Sequence, residues 1–186
     1  MGRPVQVWLA PAGAEPRPAA HDLLLELAGT LVDRPRLSHD KSGRPHIPGL
    51  AVSVSYSQQL VAVAAAYGGP VGVDLEEVRG RDVAGLAERW FGARELEWMG
   101  RQEDELVAFL RLWTSKEAVG KALGLGLGEA GLRREMPLGG GAVESVPGLV
   151  VTHVPWPGAV LTVAAPTSRV EVSRRSPTLD PSCARG

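Results

Sequence analysis

The spacing of apolar positions changes along the chain, and each change marks an element. Val5, Val7 and Leu9 alternate with Gln6 and Trp8, the period of two that predicts a strand with one buried face. A Pro/Ala/Gly connector follows at 11–18. Residues 19–32 are rich in Leu and Ala and predict a helix. Asp33-Arg34-Pro35 ends it, because proline disfavours helical geometry in the residue before it. Residues 38–49 are mostly polar, with two glycines and two prolines, and predict a long loop of the kind that carries function. Residues 51–55 and 60–66 predict a hairpin joined by Ser57-Gln58-Gln59. After a turn at 68–70, residues 71–75 predict a third strand. Two short helices are expected at 81–90 and 94–100, broken at Gly92, and a long one at 103–123. Gly124, Gly126 and Gly128 stop it, since glycine accepts the left-handed geometry of a helix end. Residues 142–146, 149–154 and 160–165 predict closing strands.

Strand, helix and hairpin thus occur twice in the same order. The expected fold class is α+β, in two pseudo-symmetric halves, each a small antiparallel sheet packed with a long helix. The boundaries are 1–68 for the N-terminal half and 69–166 for the C-terminal half. Residues 167–186 are polar and are expected to form a mobile tail.

Composition narrows the function classes. Of 186 residues, 44% are hydrophobic and 22% charged, ordinary for a globular chain able to build a core. The net charge is −1 and no basic run occurs, so nucleic acid is not an expected partner, and an anionic ligand needs a local cluster of positive groups. The single cysteine, Cys183, fits a reducing cytoplasm. Apolar runs such as 60–67 are too short to span a bilayer. The apolar start at 4–10 is short and interrupted by Gln6, so it reads as the first strand and not as a signal sequence.

Candidate chemistry lies in carboxylates. Asp74 and Glu76 are two apart at the end of the third strand, so they point the same way, with Val71 and Val73 turned to the other face. Adjacent acids repel, and a divalent cation with hard oxygen ligands relieves this; a solvated acidic turn is the plain alternative. On the long helix, taking Leu106 as origin and about 100° per residue, Leu110 falls near ~40°, Trp113 near ~340° and Glu117 near ~20°. Glu117 therefore sits within an apolar stripe, where a carboxylate is unfavourable unless paired. Lys121 at i+4 offers one partner. The combined expectation is that Asp74, Glu76 and Glu117 converge on magnesium, with Lys116 and Lys121 adding positive charge, as a pyrophosphate site requires.

These segments carry a resemblance. Trp113-Thr114-Ser115-Lys116-Glu117-Ala118-Val119-Gly120-Lys121-Ala122-Leu123-Gly124 resembles the W-[ST]-x-K-E-[AS]-x-x-K-A-x-G signature of 4′-phosphopantetheinyl transferases. Val71-Gly72-Val73-Asp74-Leu75-Glu76 resembles their [IV]-G-[IV]-D-[IV]-E signature. Gly43-Arg44-Pro45 looks like the family's G-[KR]-P loop, and Ser53-Val54-Ser55-Tyr56-Ser57 like its S-x-S-H-[ST] strand end. The surfactin-synthetase-activating (Sfp) type matches best, over roughly residues 43–165, and its fold of two similar halves agrees with the layout above.

The resemblance implies transfer of the 4′-phosphopantetheine group from coenzyme A to a serine of an apo carrier protein, acyl, polyketide or peptidyl, with release of 3′,5′-ADP. It implies that Asp74, Glu76 and Glu117 hold Mg²⁺ and that Glu117 takes the serine proton. Lys116 and Lys121 would sit by the phosphates, with Lys121 stabilising the departing group. Gly43, Arg44, Pro45, Ser55 and Tyr56 would hold the adenosine end. By analogy the protein would be a cytoplasmic monomer of secondary metabolism. Two features depart from the pattern. Tyr56 stands where the family has a histidine contacting the 3′-phosphate. The basic segment after the first strand is replaced by Gly13-Ala14-Glu15-Pro16-Arg17, leaving Arg34 and Arg36 as substitutes. A degenerate homologue that binds without transfer, and a magnesium-dependent phosphohydrolase, are the competing readings.

Overall fold

The computed structural model describes residues 3–125 and 129–176. Strand β1 (Val5–Pro11) leads into α1 (Pro16–Gly29). Two short strands, β2 (Ser38–His39) and β3 (Pro45–His46), precede β4 (Ala51–Tyr56) and β5 (Leu60–Ala66). The second unit holds β6 (Gly72–Glu77), α2 (Ala84–Trp90), α3 (Ala93–Met99), α4 (Glu105–Ala122), α5 (Glu129–Leu132), β7 (Gly141–Ala142), β8 (Val150–Trp156) and β9 (Ala159–Ala165). A last strand, β10 (Val170–Arg174), returns to the first unit.

There are two four-stranded sheets, ordered β10-β1-β5-β4 and β6-β9-β8-β7. Their inner faces meet. Val5, Val7, Leu9, Ala62 and Ala64 of the first sheet form one core with Val73, Leu75, Leu161 and Val163 of the second. The alternate residues face outward onto helices: Trp8, Ala10, Val61 and Val63 pack with Leu23, Leu24 and Leu27 of α1. Val151, Val160 and Ala164 pack with α4. The period-two pattern explains this directly, because successive strand side chains serve opposite faces. β1 differs from expectation in having both faces covered: Trp8 is also buried, beneath α1.

Three stretches differ from the reading above. The strand expected at 142–146 is only β7 at Gly141–Ala142, and the chain then turns, with Val146 N–H donating to Val143 O and Leu149 N–H to Val146 O. Residues 38–49 hold the β2–β3 pair, with its turn tied by Asp40, whose Oδ1 accepts from Ser42 and Arg44 N–H groups. The expected mobile tail is corrected for 170–174. These residues run parallel to β1, with Val5 opposite Val170 and Leu9 opposite Arg174. Edge pairing needs only backbone groups on one side, so a polar sequence suffices there. Arg175 then lies 3.5 Å from the centre of the Trp8 ring. Gly126, Gly128 and Cys183 lie outside the described residues. No described helix is long and apolar enough to cross a membrane.

Candidate active site

Everything at the site depends on how closely α4 lies on β6. A Cβ placed on Gly72 would fall 1.9 Å from the Ala118 carbonyl oxygen and 2.7 Å from the Ala122 nitrogen. Only glycine permits that approach. The sheet-facing line of α4 is therefore Thr114, Ala118 and Lys121. The Thr114 hydroxyl meets that of Thr162 on β9 at 2.6 Å, and Thr162 in turn meets His153 Nδ1 at 3.0 Å. Asp74, Thr162 and His153 lie in register across β6, β9 and β8 on the face toward α4.

Burial, with the nearby Arg111 charge, pulls the His153 pKa from 6.5 down to about 4. The native ring thus stays neutral in a window where the unfolded chain takes up a proton. Stability falls as pH drops from 6.5 toward about 4. After allowance for partial solvent exposure, we expect a loss of about 2 kcal/mol over that window relative to His153→Gln. Urea melts at both pH values check it.

The two sheets meet along a seam between β4 and β6. Ser53 Oγ accepts the Val73 N–H at 3.0 Å and Ser55 Oγ the Leu75 N–H at 3.2 Å. The serine hydroxyls thus satisfy edge N–H groups of β6 that no neighbouring strand reaches. Ser55 Oγ also donates to Asp74 Oδ1 at 3.0 Å. Lys121 closes the seam. Its Nζ donates to Asp74 Oδ1 at 2.7 Å, to Val73 O at 3.1 Å and to Val54 O at 3.2 Å. Ser53 and Gly72 are site-building residues that motif reading quoted without explaining.

Glu117 lies one helical turn before Lys121. Burial, then the negative charges of Asp74 and Glu76, raise its pKa to about 7 against the opposing pull of Lys121. Its Oε1 is buried with no hydrogen-bond partner among the described residues, an unfavourable state that points to a missing cationic or hydrogen-bonding partner. Glu76 is partly exposed and bonds Arg81 at 2.9 Å. The three acids therefore reduce their mutual repulsion differently: Asp74 through Lys121, Glu76 through Arg81, Glu117 by holding its proton more tightly. Among the described residues, no three His, Cys, Asp or Glu side chains stand together as an assembled metal site. Carboxylate oxygens, the orphaned Oε1 among them, are the donor type that a hard dication such as magnesium takes.

Lys116 does not belong to this site, which corrects the expectation. It leaves α4 on the far side, fully buried, and pairs with Glu95 at 2.9 Å while donating to Arg134 O at 2.6 Å. Glu95 also accepts from the Gly92 and Met136 N–H groups. The pair pins α3 and residues 134–136 over α4. Burial lowers the Lys116 pKa despite Glu95. Because α4 is covered on both sides, apolar periodicity could not separate its two faces. Removing one partner strands a buried charge, so Glu95→Ala should lower stability by about 3–5 kcal/mol, measurable by denaturant melts.

Beside the seam is a cavity of about 260 Å³. Gly43, Arg44 and Pro45 line it with Ser53, Val54, Lys121 and Gly124. Gly43 takes φ +82° in the turn. The Arg44 guanidinium lies against Gly124, with Nη1 2.3 Å from where a Cβ would stand, and makes no ion pair among the described residues. The loop expected to hold the adenosine end thus shares one cavity with Lys121. Ser55 is turned into the seam, and Tyr56, 46% exposed, ends the strand away from the cavity lining.

Comparison with known proteins converges on the same segment. Residues 70–137 match the family model described as the 4′-phosphopantetheinyl transferase superfamily. The 4′-phosphopantetheinyl transferase HetI of Nostoc is 36% identical over 101 residues, covering 50% of this chain and 43% of that protein. The 4′-phosphopantetheinyl transferase psf-1 of Bacillus pumilus is 37% identical over 91 residues, 46% of this chain and 38% of its own. The 4′-phosphopantetheinyl transferase AcpT of Salmonella typhimurium is 34% identical over 104 residues, 53% and 54% of the two chains. The chain spans about half the length of the curated relatives it matches, and these relatives do not single out one type. Both kinds of comparison support the 4′-phosphopantetheinyl transferase superfamily for this chain, on the segment that carries Asp74, Glu76, Glu117 and Lys121.

Proposed function

We propose that this protein transfers the 4′-phosphopantetheine group from coenzyme A to a serine hydroxyl of an apo carrier protein, releasing 3′,5′-ADP. The observation that carries the reading is Glu117, a half-buried carboxyl with an unbonded oxygen, held beside Asp74 and Glu76 next to the Lys121 cavity. Asp74, Glu76 and Glu117 would hold Mg²⁺, which when bound supplies charge neutralisation to the pyrophosphate. Glu117, whose pKa in the cation-free protein is raised to about 7, would accept the serine proton. The serine oxygen bonds to the phosphorus that bears pantetheine, and the bond from that phosphorus to the 3′,5′-ADP oxygen breaks. Lys121 moves from Asp74 to the phosphate oxygens and offsets the charge that grows on the departing group. Gly43, Arg44 and Pro45 receive the adenosine end, and the guanidinium of Arg44, which makes no ion pair among the described residues, suits phosphate.

The two sheet-and-helix units read as pseudo-symmetric halves, because β1-β5-β4 with α1 and β6-β9-β8 with α4 share strand order and connectivity. On its resemblance to the Sfp type, we read the protein as a cytoplasmic monomer serving secondary-metabolite carriers.

The test is incubation with coenzyme A, magnesium and an apo carrier, followed by weighing the carrier. Addition of one phosphopantetheine supports transfer. An unmodified carrier indicates a binder, and nucleotide breakdown alone a phosphohydrolase. Because Tyr56 stands where the family resemblance puts a histidine against the 3′-phosphate, kcat/KM should differ less between coenzyme A and its 3′-dephospho form than for Tyr56→His. Equal ratios for the two proteins would remove Tyr56 from recognition. Arg44→Ala should raise KM for coenzyme A about tenfold with little change in kcat.

A further inference from the structure

Away from the acids, two histidines from different elements meet. His21 projects from α1 and His39 from β2, and their Nε2 atoms lie 3.3 Å apart. The rings are tilted at 45° with centres 4.7 Å apart. A shared hydrogen bond accounts for the distance only if one ring donates and the other accepts. A second geometry accounts for it equally. Two zinc–nitrogen bonds of about 2.05 Å at a tetrahedral angle set the nitrogens roughly 3.3 Å apart. We propose that His21 and His39 form a binding site for a borderline transition-metal dication such as Zn²⁺, Ni²⁺ or Cu²⁺, completed by water and distinct from the carboxylate site.

The surroundings agree. Both residues are accessible to solvent, so water can fill the remaining positions. Imidazole selects these metals, whereas magnesium prefers oxygen. His21 has its pKa lowered, by burial first and then by His39 and Arg17, so the neutral, ligating form is present at pH 7. Asp22 stands next in sequence and its charge acts on His21. The ion would tie α1 to the β2–β3 pair. Asp40, adjacent to His39, holds the turn that presents Gly43 and Arg44 to the cavity. Metal binding therefore restrains the loop expected to hold the nucleotide end of the substrate, though the site itself does not depend on that reading.

The test uses full-length, tag-free protein carrying Cys183→Ser, so that the thiol cannot compete for metal. Zn²⁺ and Ni²⁺ are titrated by calorimetry in excess Mg²⁺, and the ring signals of His21 and His39 are followed by NMR. One ion per chain is expected, with both signals shifting together. Binding should be at least about tenfold weaker in His21→Ala and in His39→Ala, and unchanged in His46→Ala. Equal affinity in the wild type and either of the first two variants, or no binding below millimolar metal, would overturn the proposal.

Discussion

Glu117→Gln should leave less than about one per cent of wild-type transfer while the protein remains folded. Glutamine keeps the shape of the side chain but cannot take a proton and does not replace a carboxylate at a cation. The native environment already raises the Glu117 pKa to about 7 through burial and two neighbouring acids, so a neutral amide is well tolerated there. Thermal stability without divalent ions should therefore be equal to or above wild type, while carrier modification, read by mass, disappears. Asp74→Ala should have a similar effect on transfer through a different group. Asp74 Oδ1 holds Lys121 and Ser55 at 2.7 and 3.0 Å. Alanine would release Lys121 from its acid and weaken the seam. Asp74→Asn preserves the Ser55 contact and separates lost charge from lost packing. Substantial transfer by Glu117→Gln would remove Glu117 from the proton-transfer step.

The second large effect comes from a residue with no chemistry of its own. Gly72→Ala would place a methyl group 1.9 Å from a backbone carbonyl of α4. Neither strand nor helix can yield locally, so α4 must lift from β6. We expect a stability loss of about 3 kcal/mol, at the upper end for overpacking, and at least about a hundredfold loss in kcat, since misplacement by an ångström has that consequence. Ala118→Gly would not rescue it, because the clash is with backbone atoms. A Gly72→Ala enzyme with wild-type kcat would show that the close approach does not set the geometry of the acids.

Much of the fold is written in local patterns. The alternation around Val73 and Leu75 correctly put the acids on one face and apolar residues on the other. Helix α4 was legible from its length and its glycine stop. What failed did so for identifiable reasons. Lys116 and Lys121 are equally good cations in the sequence, yet Lys116 is committed to Glu95. Glu95 is 21 residues away and carries no local signal of being buried. The roles of Ser53 and Ser55 were hidden because they satisfy N–H groups on another sheet, a long-range demand. β10 escaped notice because a parallel edge strand needs no apolar alternation. The placement of Gly43 and Arg44 beside Lys121 depends on how the two halves meet, which the separate motifs do not specify.

The account depends most on side chains 74, 76 and 117 acting together on one divalent ion. Mn²⁺ binding in the presence of coenzyme A, followed by electron paramagnetic resonance, tests this directly. One tightly held ion per chain is predicted for the wild type, lost in Asp74→Ala, Glu76→Ala and Glu117→Gln alike. Undiminished binding in any one of those variants would contradict it.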